Sequence, residues 1–236
     1  MRPLRVKIFM DGADIDAMKA AYRSRTVQGF TTNPTLMRKS GITDYAAFAK
    51  AAIAAIPNLP ISFEVFSDDF SSMEAEARTI AGWGGDTYVK IPITNTKGDS
   101  AAPLIAKLSA EGFSLNVTAM MTLEQVEAVR AAANPRSRTI VSVFAGRIAD
   151  AGVDPVPVMR KAKSLLTGLP KAELLWASPR EVLNLVQADE TGCDIITATP
   201  DILAKVPTLG KDLTQFSLET VRMFYADAKA AGFKLI

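Results

Sequence analysis

The run Tyr88-Val-Lys-Ile-Pro-Ile93 sets a single cation inside an apolar stretch with the composition of a buried β-strand. Burying an unpaired ammonium costs several kcal/mol or more, so Lys90 has to be paired, to snorkel, or to work as a neutral amine. Working outward, short β-branched runs alternate with longer helical patterns from one end of the chain to the other. That alternation predicts βα units and a parallel sheet.

Eight strands are predicted, at Val6 to Asp11, Val27 to Thr31, Ile61 to Val65, Thr87 to Pro92, Ser114 to Thr118, Thr139 to Phe144, Glu173 to Ala177 and Asp194 to Ala198. Their starts recur roughly every 20 to 35 residues, the length of one βα unit. Ser71-x-x-Glu74 and Thr122-x-x-Gln125 read as capping boxes, and Gly112, Gly168 and Gly192 as helix stops. Eight units without a linker predict one (β/α)8 TIM barrel over residues 1–236. A doubly wound sheet is weaker, because no G-x-G-x-x-G follows the first strand. An extra C-terminal helix from Ser217 to Ala231 carries Leu218, Val221, Met223, Phe224 and Tyr225, and packs either on its own barrel or on a neighbouring subunit.

Composition bounds the chemistry. The chain has 236 residues, 48% hydrophobic and 22% charged, with 27 Lys and Arg against 25 Asp and Glu. A formal charge of +2 without a long basic run gives no reason to expect nucleic acid or a membrane surface, so small substrates are expected. One cysteine, Cys193, excludes an internal disulfide, and the absence of histidine excludes Ser-His and Cys-His dyads and His-ligated metals. Asp11 and Asp14 follow the N-terminal segment too soon for a signal peptide or a span, which makes the cytoplasm the expected location.

A barrel gathers its reactive groups at the C-terminal ends of its strands. There stand Asp11, then Thr31, Thr32 and Asn33, then Glu64, Lys90 with Thr94 and Asn95, Asn116 with Thr118, Ser142 with Arg147, and Ser178 with Arg180, while the eighth strand, Ile195-Ile-Thr-Ala-Thr199, offers only hydroxyls. Asp11, Asn33 and Asn116 each have an ordinary reading as helix caps or turn residues, and Lys90 could be the buried partner of Glu64 on the adjacent strand. Taken together they suit an amine nucleophile: Lys90 attacks a carbonyl and the protonated imine draws electrons from the adjacent C–C bond. A lysine amine ordinarily titrates at about 10.4, so this use requires the site to lower it. Without histidine, proton transfers fall to Asp11, Glu64, a tyrosine or water. Arg147, Ser178 and Arg180 suit an anion such as phosphate, which would also explain two arginines at helix starts.

Gly29-Phe-Thr-Thr-Asn-Pro-Thr-Leu-Met37 and Val89-Lys-Ile-Pro-Ile-Thr-Asn-Thr-Lys-Gly98 resemble the two signatures of the transaldolase family, including its short fructose-6-phosphate aldolase branch. Ser62-Phe-Glu-Val65, Leu115-Asn-Val-Thr118, Ser142-Val-Phe-Ala-Gly-Arg147 and Trp176-Ala-Ser-Pro-Arg180 extend the likeness over strands one to seven. The resemblance implies Lys90 as the Schiff-base lysine, Asp11 as the main proton-transfer group, and Glu64 with Thr118 as holders of a catalytic water. It implies Thr31, Asn33, Asn116 and Ser142 against the ketose, and Arg147, Ser178 and Arg180 against its phosphate.

Phe144 matches the transaldolases, since the aldolases carry tyrosine there, and Glu64 stands where the aldolases tend to have glutamine. The implied activity transfers a dihydroxyacetone unit from fructose 6-phosphate or sedoheptulose 7-phosphate to an aldose phosphate, without cofactor or metal, in a homo-oligomer of five or ten subunits. Alternatives are an aldolase releasing dihydroxyacetone, a transferase for a ketose bearing another anion such as a sulfonate, and a sugar-phosphate binding barrel without catalysis.

Overall fold

In the computed structural model, which describes residues 3–235, eight parallel strands close into a barrel in sequence order. Met1, Arg2 and Ile236, which the 1–236 domain reading includes, lie outside the described residues. The strands are β1 Lys7–Asp11, β2 Gly29–Thr31, β3 Ile61–Glu64, β4 Thr87–Pro92, β5 Leu115–Met120, β6 Thr139–Val143, β7 Ala172–Trp176 and β8 Ile195–Ala198. The helices are α1 Ile15–Ser24, α2 Pro34–Lys39, α3 Tyr45–Ala55, α4 Phe70–Ala81, α5 Ala102–Ala110, α6 Leu123–Ala132, α7 Ala145–Asp150, α8 Pro155–Leu165, α9 Leu183–Thr191, α10 Pro200–Leu203 and α11 Leu213–Ala230. Among the described residues no helix is long and apolar enough to cross a membrane.

Alternation along each strand separates two cores. Outward residues such as Phe63, Ile91, Val117 and Val141 pack beneath the helices, while Phe9, Tyr88, Ile140, Leu175 and Ile195 fill the barrel itself. Gly29 faces that inner layer because a Cβ there would come within 2.4 Å of the Phe9 ring. Below the plug, Lys7 pairs with Glu173 and Arg138 with Asp86 at 2.7 Å. Above it the interior turns polar, with Ser62, Asn116 and Ser142. Register then sets Glu64 beside Lys90 and Lys90 beside Asn116.

The Thr122 capping box forms as read, with Gln125 returning to the cap backbone. The Ser71 box does not. Asp69 caps α4 by accepting from Ser72 N at 2.8 Å, Ser71 donates to Asp69, and Glu74 pairs with Arg78 and Lys107. A carboxylate two residues upstream is the stronger acceptor at a helix N-terminus, so it displaces the hydroxyl. Gly112, Gly168 and Gly192 all have positive φ, as the stops require. The terminal helix begins at Leu213, four residues before the predicted start, because Asp212 caps it. None of its residues is buried, so its apolar face does not pack on its own barrel.

Gly146 in α7 lies against the backbone of the β7 loop, where an added Cβ would sit 1.5 Å from the Ser178 carbonyl oxygen. Ser178 itself holds φ at 62°, so this loop has little freedom to retreat. Gly146→Ala should therefore destabilise the fold by about 3 kcal/mol, lowering the melting temperature by roughly 6–12 °C. An unchanged calorimetric transition would contradict this packing.

Candidate active site

The C-terminal mouth of the barrel holds a cavity of about 540 Å³. It is lined by Asp11, Thr31, Asn33, Glu64, Lys90, Asn116, Thr118, Ser142, Phe144, Arg147, Ser178 and Arg180, whereas Thr32 is buried outside it with its hydroxyl donating to the Ser62 carbonyl at 2.8 Å. A hollow of about 680 Å³ at the opposite end is larger, but its Lys7, Glu173, Lys163 and Asp194 are occupied in ion pairs with one another. Size therefore does not locate the chemistry here.

Lys90 is 6% exposed. Its Nζ lies 3.0 Å from Glu64 Oε2 and donates to the Thr32 carbonyl at 3.0 Å. The ion-pair reading of Lys90 is thus met in the geometry, and it leaves the amine at the cavity wall. A carboxylate in contact with a buried amine can also take its proton, so the pair and the nucleophile are compatible states of one group.

Asp11 faces Lys90 from β1. Thr31 Oγ1 donates to Asp11 Oδ1 at 2.8 Å, and Thr197 Oγ1 lies 2.6 Å from Thr31 Oγ1. A hydroxyl has one proton to give, so with Thr31 donating to Asp11, Thr197 donates to Thr31. Burial pushes the Asp11 carboxyl above the ordinary carboxylate range, against the opposing pull of the Lys90 charge and the Thr31 bond; the Glu64 charge adds to the rise. A buried carboxyl that favours its neutral form holds a proton more readily than an exposed one, which suits it to proton transfer within the cavity.

Asn116 is held at both ends. Its Nδ2 donates to Ser62 Oγ at 2.9 Å and its Oδ1 accepts from Ser142 Oγ at 2.6 Å, leaving one amide hydrogen for a ligand. Thr118 Oγ1 is buried without a hydrogen-bond partner among the described residues, an arrangement that costs about 1–3 kcal/mol unless a bound molecule answers it. The next residue, Ala119, holds φ at 63° at a bulge in β5 and also lines the cavity. Asn33 is the N-cap of α2, accepting from Leu36 N at 3.0 Å, while its amide favours the ionised form of Asp11. Its structural and site readings both hold.

The opposite wall carries the arginines. Arg147 lies over the Phe144 ring, 5.7 Å from guanidinium carbon to centroid. Arg180 has partners within the chain, so its place at a helix start is explained without a ligand anion: Nε donates to Asp150 Oδ1 at 2.9 Å and Nη1 to Ser178 Oγ at 3.1 Å. Hydrogen bonds within this pair hold Asp150 low and Arg180 high. Asp150 closes α7, three residues after Arg147, and that spacing was the one available sign of it. Ser62 and Thr197 support Asn116 and Thr31, roles the sequence reading does not assign to them; both are inward positions of their strands, which period-two alternation makes visible.

The chain matches the Transaldolase/Fructose-6-phosphate aldolase family over residues 8–235. It is 33% identical over 204 residues to a probable transaldolase of Dehalococcoides mccartyi, covering 85% of this chain and 90% of that protein. It is 32% identical over 227 residues to a probable transaldolase of Nitrosopumilus maritimus, covering 95% and 97%. Among solved structures, dihydrodipicolinate synthase from Rhodopseudomonas palustris superposes with a TM-score of 0.58 at 16% identity, over 90% of this chain and 77% of that one, a likeness of barrel fold. With a closed eight-stranded barrel and a family match running from β1 to α11, the chain belongs to the transaldolase/fructose-6-phosphate aldolase family.

Proposed function

We propose that the protein is a transaldolase that moves a dihydroxyacetone unit between sugar phosphates through a Schiff base on Lys90. The observation that carries this reading is the buried Lys90 amine, set between the Glu64 carboxylate and the Thr32 carbonyl at the wall of a polar cavity. The free amine adds to the C2 carbonyl of the ketose, and loss of water leaves a protonated imine. Asp11 takes the C4 hydroxyl proton, the C3–C4 bond breaks, and its electron pair passes into the imine to give an enamine while the shortened aldose phosphate leaves.

The enamine adds to the carbonyl carbon of an acceptor aldose phosphate, Asp11 returns the proton to the new alkoxide, and water releases the product ketose. Glu64 and Thr118 hold that water in this reading, and the unpartnered Thr118 hydroxyl supports it. Asn116 and Ser142 meet the hydroxyls of the three-carbon unit, and Arg147, Ser178 and Arg180 meet the phosphate. Phe144 favours transfer over hydrolysis, because a ring without a hydroxyl beside the site does nothing to hold water against the enamine. The proposed homo-oligomer belongs to the same reading: a second copy is the partner for Phe216, Leu218, Val221 and Phe224 on the exposed face of α11.

Two measurements test this. Incubated with fructose 6-phosphate and erythrose 4-phosphate, the enzyme should form sedoheptulose 7-phosphate faster than it releases dihydroxyacetone, and Phe144→Tyr should raise the share released. Mass detection of both products decides, and dominant release by the unaltered enzyme would contradict transfer.

The second concerns Asp11. Its folded-state titration lies above its unfolded one, so ionising it costs stability; that cost is absent below about pH 4, grows as pH rises from the unfolded toward the folded value, and is constant above it. Asp11→Asn should therefore melt higher than the parent near neutral pH while losing turnover, with the gap closing toward acid. A gap independent of pH would contradict the buried, charge-strained carboxyl.

A further inference from the structure

Tyr45, the first residue of α3, does not line the cavity, yet its hydroxyl is bonded to the backbone beneath it. Glu64 N–H donates to Tyr45 Oη at 2.7 Å, and Tyr45 Oη donates to the Glu64 carbonyl at 3.0 Å. The reason lies in the ladder between β2 and β3. Phe30 N donates to Pro60 O at 2.8 Å and Thr32 N to Ser62 O at 3.1 Å. The regular pattern of a parallel pair would continue with Glu64 N–H to Thr32 O and the N–H of residue 34 to Glu64 O.

Residue 34 is proline and has no N–H to give. Thr32 O accepts from Lys90 Nζ instead of from Glu64. The phenol therefore stands in for both missing ladder partners, as acceptor for Glu64 N–H and donor to Glu64 C=O. The ring is held in place for this by Phe66, Trp83 and Phe63, with centroids at 4.4, 5.4 and 6.2 Å.

We infer that Tyr45 is a positioning residue: by ending the β2–β3 ladder one step early, it frees the Thr32 carbonyl to hold the Lys90 amine and fixes the Glu64 backbone beside it. This rests on the Schiff-base reading above and adds the device that aims the amine. Without the hydroxyl, the part-buried Glu64 N–H loses its acceptor, and Thr32 O is the acceptor that the regular ladder would give it. The amine and the amide then compete for one carbonyl.

Tyr45→Phe keeps the aromatic cluster and removes only the hydroxyl. Its kcat for transfer should fall on the order of tenfold with the ketose KM within about twofold, because Arg147 and Arg180 on the far wall are untouched. Ser137→Ala, which deletes a buried hydrogen bond to the Ser109 carbonyl away from the cavity, controls for lost stability and should keep its kcat. An equal loss in both variants, or wild-type kcat in Tyr45→Phe while Lys90→Met is inactive, overturns the positioning role and leaves the Schiff-base reading standing. Turnover by Lys90→Met overturns the reading beneath both.

Should Tyr45→Phe not fold, ring-labelled tyrosine in the parent and in Lys90→Met supplies the test by NMR. Removing the amine returns Thr32 O to Glu64, so the Tyr45 hydroxyl resonance should shift and its proton exchange faster. An unchanged resonance would show that phenol and amine are uncoupled, and would overturn the proposal.

Discussion

Everything at the mouth of this barrel depends on holding one amine in a place where an isolated ammonium would not stay. Lys90 is nearly enclosed, and two oxygens at 3.0 Å, the Glu64 carboxylate and the Thr32 carbonyl, make that enclosure tolerable. A buried pair of this kind is a poor way to gain stability, because desolvation of both charges offsets most of their attraction. Its retention makes sense as function. The same contacts that satisfy the amine keep it at the cavity wall with a proton acceptor in reach.

The barrel supports this arrangement in layers. The inner apolar plug of Phe9, Tyr88, Ile140, Leu175 and Ile195 closes the barrel beneath the amine. Directly above, Ser62, Asn116 and Ser142 form a chain in which each polar atom has a fixed partner, so the cavity-facing amide of Asn116 does not rotate. Asp11 is oriented by Thr31 and Thr197 in the same way. The two positive-φ residues at the rim, Ala119 and Ser178, follow the bulge in β5 and the close approach of Gly146. Local backbone strain thus collects where side chains meet the cavity.

The eight strands and the polar residues closing them were legible because both are local signals: alternation, β-branched runs and the position just after each strand. The same logic placed Lys90 beside Glu64. What was illegible depended on partners distant in sequence or on competition between neighbours. Asp69 took the cap that Ser71 and Glu74 seemed to share, since a carboxylate nearby outranks a hydroxyl. Arg180 bonds Asp150, thirty residues away, a partner that no local pattern around Arg180 signals. Tyr45 reads from the sequence as one more aromatic at a helix start, and only the stalled ladder opposite Pro34 shows what its hydroxyl does. The terminal helix was visible as apolar, but its separation from its own barrel was not.

The central claim is that Lys90 forms a covalent imine with the ketose. The most direct measurement is borohydride reduction in the presence of fructose 6-phosphate, followed by intact-protein mass and peptide mapping. The account predicts one added reduced three-carbon unit per chain, on the peptide bearing Lys90. An enzyme that turns over the ketose yet gives no adduct, or carries it on another lysine, would contradict it.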